Sequence, residues 1–267
     1  MEDSEMAMPK LEIKKITKSY PGPGKVDILA VQGVSLFIRE NEIVSLIGPS
    51  GCGKSTLLDI VAGLCVPDEG EVLLDGESIT GRTGFVGYMP QKDVLFPWRT
   101  ILDNVILALE VQGVSKKVAR DEASAMLPVF GLENFAHSYP YTLSGGMRQR
   151  ASFLRTYLGK KALMLLDEPF GKLDALTKIQ MQRWLLGIWQ KFKHTVLFVT
   201  HDVDEAILLS DRIYVLTPRP GQMLDVIEVN HARLRDITVT TTPEYTVIKT
   251  KILRLLEDCY NANAEVI

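Results

Sequence analysis

A chain of 267 residues is long enough for one large domain or two modest ones with a real hydrophobic core. With 46% hydrophobic and 24% charged residues it has the composition of an ordinary globular protein. A formal charge of −3, with Lys and Arg spread along the chain, argues against a dedicated nucleic-acid surface. No apolar run approaches the roughly 18–20 residues that span a bilayer, and the polar N-terminus has no signal-peptide core. The expectation is therefore a cytosolic chain that does not itself cross a membrane. Three cysteines, Cys52, Cys65 and Cys259, fit no zinc spacing and read as reduced thiols. Cys52 lies in a glycine-rich loop at a helix start, a setting that can lower a thiol pKa and invite oxidation.

In chain order, Leu11 to Tyr20 reads as an edge strand. Val34 to Ile38 and Glu42 to Ile47 read as two more strands, joined by a turn at Arg39-Glu40-Asn41. A glycine-rich loop and a helix from Lys54 to Leu64 follow. After the turn Pro67-Asp68-Glu69-Gly70, strands are expected near Glu71 to Leu74 and Phe85 to Met89. From Thr100 to about Gly159 the pattern is mostly helical, broken at Gly113, Pro128, Gly131 and Pro140. Leu163 to Leu166 is a short, wholly apolar run of buried-strand type. A long helix from Ala175 to about Phe192 precedes strands at Thr195 to Thr200, Ile213 to Leu216 and Met223 to Val229. The turn Pro218-Arg219-Pro220-Gly221 separates the last two. A final helix runs from about Pro243 to Asn261. The order predicts an α/β nucleotide-binding core, with an antiparallel β part in front and an α-helical subdomain inserted at about residues 92–158.

Gly48-Pro49-Ser50-Gly51-Cys52-Gly53-Lys54-Ser55 fits G-x-x-x-x-G-K-[ST] in full, between a strand and a helix as that motif requires. Its glycines let the backbone wrap phosphates with N–H groups inward. Lys54 would place a cation near the β- and γ-phosphates, Ser55 would coordinate Mg²⁺, and Thr56 would reach the α-phosphate. The buried strand at Leu163 ends in Asp167 and Glu168. Asp167 would hold Mg²⁺, directly or through water, and Glu168 would act as general base on the attacking water. His201 follows another strand, at the end where α/β folds place ligand contacts, and could bond the γ-phosphate. His137, His194 and His231 have no such context and read as surface or structural. Ser144-Gly145-Gly146 opens a helix: Ser144 is a good N-cap, and the glycines leave N–H groups open to an anion.

Together, the phosphate loop, Gln91, Leu143-Ser144-Gly145-Gly146-Met147-Arg148-Gln149-Arg150, the Asp167-Glu168 strand and His201 resemble the ATP-binding cassette (ABC) ATPase family. They occur in that family's order and the resemblance spans about residues 10 to 230. It implies a P-loop NTPase fold with a RecA-like core, and a head-to-tail dimer binding ATP and Mg²⁺. Each ATP would lie between Lys54 of one subunit and Ser144-Gly145-Gly146 of the other. The resemblance makes Gln91 a contact of Mg²⁺ and the attacking water, and Tyr20 the ring that stacks on adenine. For Tyr20 the alternative is an ordinary edge-strand aromatic. The stretch Phe96 to Val105, with Asp174-Ala175-Leu176-Thr177 and Arg219-Pro220-Gly221, is similar to cassettes of nitrate, sulfonate and taurine importers. That group also serves bicarbonate and pyrimidine thiamine precursors.

That subgroup implies a prokaryotic importer subunit on the inner face of the membrane. Its partners would be permease subunits, a second cassette and, indirectly, an external solute-binding protein; no nucleic acid is expected. Pro97 and Trp98 would lie near the groove that receives the permease, or else pack the helical insert. Lys172 replaces an Ala usual in the subgroup, either to pair across the interface or as a tolerated solvated side chain. Residues 231–267 form a C-terminal tail of unassigned role. The alternative function is a soluble ABC-type ATPase acting on nucleic acid or a ribosome, although such relatives usually carry two cassettes or a long coiled coil.

Overall fold

The computed structural model describes residues 8–22, 24, 26–171, 173–229 and 237–264. Lys172, Asn230 and His231 lie outside the described residues.

Two sheets share the chain. The first is antiparallel and built by β1 (Leu11–Pro21), β2 (Asp27–Ile38), β4 (Glu69–Leu74) and β5 (Glu77–Ser78), in the order β2-β1-β4-β5. The second holds β3 (Ile43–Ile47), β6 (Gly87–Met89), β7 (Leu163–Asp167), β8 (Thr195–Val199), β9 (Arg212–Leu216) and β10 (Met223–Glu228), in the order β10-β9-β3-β8-β7-β6. All its neighbours pair in parallel except β10 with β9. The helix α1 (Lys54–Val61) follows β3 directly. Between β6 and β7 lie α2 (Ile101–Val105), α3 (Leu107–Val111), α4 (Lys116–Met126) and α5 (Gly145–Leu158). After β7 come α6 (Ala175–Phe192), α7 (Val203–Leu209) and the C-terminal α8 (Pro243–Ala264).

The central strands carry apolar residues without interruption because both faces are buried. In β7, Met164 and Leu166 face a core shared with α2 to α6, while Leu163 and Leu165 face a core shared with α1 and the antiparallel sheet. β8 repeats this, with Val196 and Phe198 on the first side and Leu197 and Val199 on the second. A third cluster joins α7, β9, β10 and α8 through Ile207, Val215, Ile227, Tyr245 and Ile252.

Several elements differ from the sequence expectation, among them the short β5, which it did not include. β1 is an interior strand, paired with β2 on one side and β4 on the other, so it is not an edge. β2 starts at Asp27 rather than Val34: buried and exposed residues alternate only from Val34 on, and the earlier part lies over the phosphate loop instead. α7 escaped the reading because seven residues, mostly buried, show no helical face between two strands. α1 stops at Val61 because Gly63 follows in the left-handed conformation, φ +74°. Among the described residues, no helix is long and apolar enough to cross a membrane.

Candidate nucleotide-binding and hydrolysis site

Parallel pairing brings the C-terminal ends of five strands to one edge. β3 runs into Gly48, β6 toward Gln91, β7 into Glu168, β8 into Thr200 and His201, and β9 toward Arg219. Asp167 is in register with Val199, and Ile47 with Val215, so these exits stand side by side. Sheets of this kind place their ligands at that edge.

The phosphate loop is shaped by glycine. Gly51 and Gly53 sit at φ +76° and +98°, and Gly53 is the N-cap of α1 with no side-chain cap. A Cβ on Gly53 would lie 2.3 Å from Val31 Cγ1 and 2.9 Å from Ala30 O. Only glycine lets β2 close over the loop here. Gly221 docks beside it, its N–H donating to Ala30 O at 2.9 Å. Lys54 is buried, and its Nζ donates to the carbonyls of Gly48 and Pro49, each at 2.8 Å. Those bonds hold the ammonium over the loop rather than in solvent. Cys52 is fully buried, and burial pushes its thiol up. The expectation of a lowered thiol pKa fails because desolvation of the thiolate outweighs the nearby Lys54 charge.

Across from the loop, Glu168 stands in a left-handed backbone conformation, φ +43°, which costs strain in a residue other than glycine. Its N–H donates to Val199 O and its carbonyl accepts from Gly171 N–H. The carboxylate is gripped from two sides: Gln91 Nε2 donates to Oε2 at 2.7 Å, and His201 Nδ1 lies 3.1 Å from Oε1. Asp167 is buried, and desolvation raises its carboxyl above the usual range, against the bond from Ser55 Oγ at 3.4 Å.

Tyr20, Ser50, Gly51, Gly53, Lys54, Ser55, Thr56, Glu168 and His201 all line one cleft of about 440 Å³. Burial and its contact with Cys65 push the Tyr20 phenol up, while the Thr56 hydroxyl acts against them. Among the described residues, three larger hollows, of about 750, 1110 and 490 Å³, lie elsewhere and are lined by none of these residues. Ile28, Ala30 and Arg219 also line the cleft, and sequence reasoning gave them no role in it. The signal for Arg219 was its turn, which follows the strand beside β3.

Ser144, Gly145 and Gly146 do not line that cleft. Ser144 Oγ accepts from Met147 N at 3.3 Å, so it caps α5 as expected, and it is exposed. From this start, α5 reaches the loops of its own cleft. Arg148 pairs with Asp93 at 3.1 Å, Arg155 donates to the carbonyls of Asp93 and Val94, and Gln149 donates to Pro169 O. Trp98 is 72% exposed and stacks on Phe96 at 5.1 Å, so it does not pack the helical insert. His194 packs edge-on against Tyr157, and burial lowers its pKa. His137 is exposed.

The chain matches the family model described as ABC transporter over residues 31–171. It is 45% identical over 210 residues to a formylaminopyrimidine import ATP-binding protein of Halalkalibacterium halodurans, covering 79% of this chain and 80% of that one. It is 41% identical over 248 residues to an aliphatic sulfonates import ATP-binding protein of Bacillus anthracis, covering 92% and 96%. A solved ATP-binding cassette, a dimer in a post-hydrolysis state with ADP and Pi, superposes with TM-score 0.72 at 32% identity. That match covers 83% of this chain and all of the other. With a phosphate loop, two strand-end carboxylates and a histidine gathered at one sheet edge, the chain belongs to the ABC transporter family as an ATP-hydrolysing cassette.

Proposed function

We propose that the cleft hydrolyses ATP by general-base attack of water, with Glu168 as the base. The observation that carries this reading is the grip on one carboxylate by Gln91 and His201, facing the Lys54 loop. A general base must be held within reach of its water, and two bonds to a side chain on a strained backbone fix it there. Lys54 neutralises charge on the β- and γ-phosphates, and the N–H groups opening α1 cradle them. Tyr20, at the rim, stacks on the adenine. His201 bonds the γ-phosphate and keeps Glu168 aligned.

Ser55, Asp167 and Gln91 fit Mg²⁺, since all three offer hard oxygen donors and Ser55 and Asp167 already meet at 3.4 Å. Among the described residues no group of three His, Cys, Asp or Glu side chains would hold a metal alone. That suits an ion held largely by substrate phosphates and water. When bound, Mg²⁺ supplies charge neutralisation on the phosphates.

The cassette drives import of a small solute, as the import ATP-binding proteins it resembles are named to do, and it acts through permease subunits. Nothing in those relatives supports action on nucleic acid. ATP closes two cassettes head to tail, with Ser144-Gly145-Gly146 of each subunit meeting the nucleotide on the other. Hydrolysis then releases the pair. The cassette works on the inner face of the membrane, with Pro97 and the exposed Trp98 near the permease groove. The solute belongs to the nitrate, sulfonate, taurine, bicarbonate or pyrimidine-precursor class, delivered by an external solute-binding protein. Residues 10–230 form the cassette, with its insert at about 92–158, and 231–267 an appended tail.

Glu168→Gln tests the mechanism. The variant should bind ATP with unchanged affinity, accumulate as an ATP-bound dimer, and lose about 10²–10⁴-fold in hydrolysis. Turnover near that of the unaltered protein would remove Glu168 from the role.

A further inference from the structure

Behind His201 lies a second set of contacts that the hydrolysis reading does not use. Asp174 caps α6 by accepting from Thr177 N–H, and one turn further on stands Lys178. Its Nζ lies 2.6 Å from Asp202 Oδ2 and 2.7 Å from Glu205 Oε1. Glu205 is only 3% exposed, and its other oxygen accepts the Thr200 hydroxyl. Asp202 uses its free oxygen to cap α7, accepting from the N–H groups of Asp204 and Glu205, and its own N–H donates to Thr200 Oγ1. Both neighbours of His201 are thus fixed, while the imidazole projects toward Glu168.

These contacts close a ring. From Glu168 the chain runs through the loop at Gly171 into α6; Lys178 crosses to Asp202, and His201 returns to Glu168 at 3.1 Å. The exits of β7 and β8 are therefore bridged twice, once in the cleft and once behind it.

Resting on the proposed role of His201, we propose that Lys178 is a positioning residue for hydrolysis. It fixes the 200–205 segment so that the His201 imidazole meets Glu168. It does not line the cleft, so its loss should act on turnover and not on ATP binding. Lys178→Met, measured on the full chain with Mg-ATP, should lower kcat about tenfold or more, with KM and ATP affinity within about twofold. Lys178→Arg should restore most of kcat, because a cation is what the two carboxylates require.

A double-mutant cycle with His201→Ala decides the matter. If Lys178 acts through His201, Lys178→Met should add little to the His201→Ala loss. Losses that multiply would overturn the proposal and leave the role of His201 standing. An unimpaired His201→Ala protein would remove both. Should Lys178→Met fail to fold, Asp202→Asn carries the same cycle, since Asn still caps α7 but no longer pairs with Lys178. A cycle in which that substitution too is additive overturns the proposal.

Discussion

Two helices of this chain start in ways that differ, and the difference separates the two halves of the proposed nucleotide site. α1 starts at Gly53, left-handed and without a side-chain cap, beneath β2 and beside the buried Lys54. α5 starts at Ser144, whose hydroxyl already caps it, on an exposed face away from the cleft. Neither first turn holds an acid, so the positive end of each helix dipole is open to a phosphate. The start of α1 is completed by its own chain's Lys54, Glu168 and His201. That of α5 is exposed at Ser144 and outside the cleft, and in the proposed dimer it would be completed by another subunit. α7 supplies the contrast. Its cap is Asp202, with Asp204 and Glu205 in the first turn, and three carboxylates make a start that holds its own chain and repels an anion.

The largest effects should come from breaking the start of α1. In Gly53→Ala, a Cβ would enter at 2.3 Å from Val31 Cγ1, on a backbone whose positive φ alone costs on the order of 1–3 kcal/mol. β2 must lift or the loop must turn over, so ATP affinity should fall at least about tenfold, read by calorimetric titration. Unchanged affinity would mean that β2 does not shape the loop. Ser144→Arg should do the opposite. ATP binding by the monomer stays, because Ser144 lies outside the cleft, while ATP-driven dimerisation, read by light scattering, is lost. A dimer that forms normally would rule out the contact across subunits. A smaller effect is expected of Ser144→Ala, which removes only the cap. It should cost about 1 kcal/mol, or a fall of about 2–4 °C in Tm.

How much of this was legible in the sequence depends on the range of the contacts. Gly53, Lys54, Asp167 and Glu168 could be read because their chemistry needs fixed residue types at fixed local spacing. The cap at Ser144 could be read because it spans three residues. The order of the sheet could not: β1 looks like an edge until β4, some fifty residues on, pairs with its other side. The start of β2 was missed for a related reason, since residues that cover a loop do not alternate as sheet residues do. Lys178 was invisible because its two partners lie 24 and 27 positions away, on a helix too short to show a period. Arg219 stands out in the sequence only by its turn, yet its place in the cleft comes from β9 lying beside β3.

The start of α7 gives the smallest test and the cleanest control. Burial raises the Asp202 carboxyl, but the bonds from Lys178 and from the N–H groups of Glu205 and Asp204 outweigh it, and the net shift is downward. A carboxylate depressed in the folded chain contributes stability above its unfolded pKa, about 3.9, and loses it as pH falls through the lower folded value. Glu205 runs the other way, because burial raises it, and its contribution fades as pH rises above the ordinary glutamate range. Since Glu205 remains in both proteins, comparing the parent with Asp202→Asn largely cancels its share. The gap in Tm between the two should be widest near neutrality and narrow as pH falls below about 4. A gap that stays constant with pH would mean that the Asp202 charge does no work at this helix start. α7 would then be closed by the shape of its cap alone, as α5 is by a neutral serine.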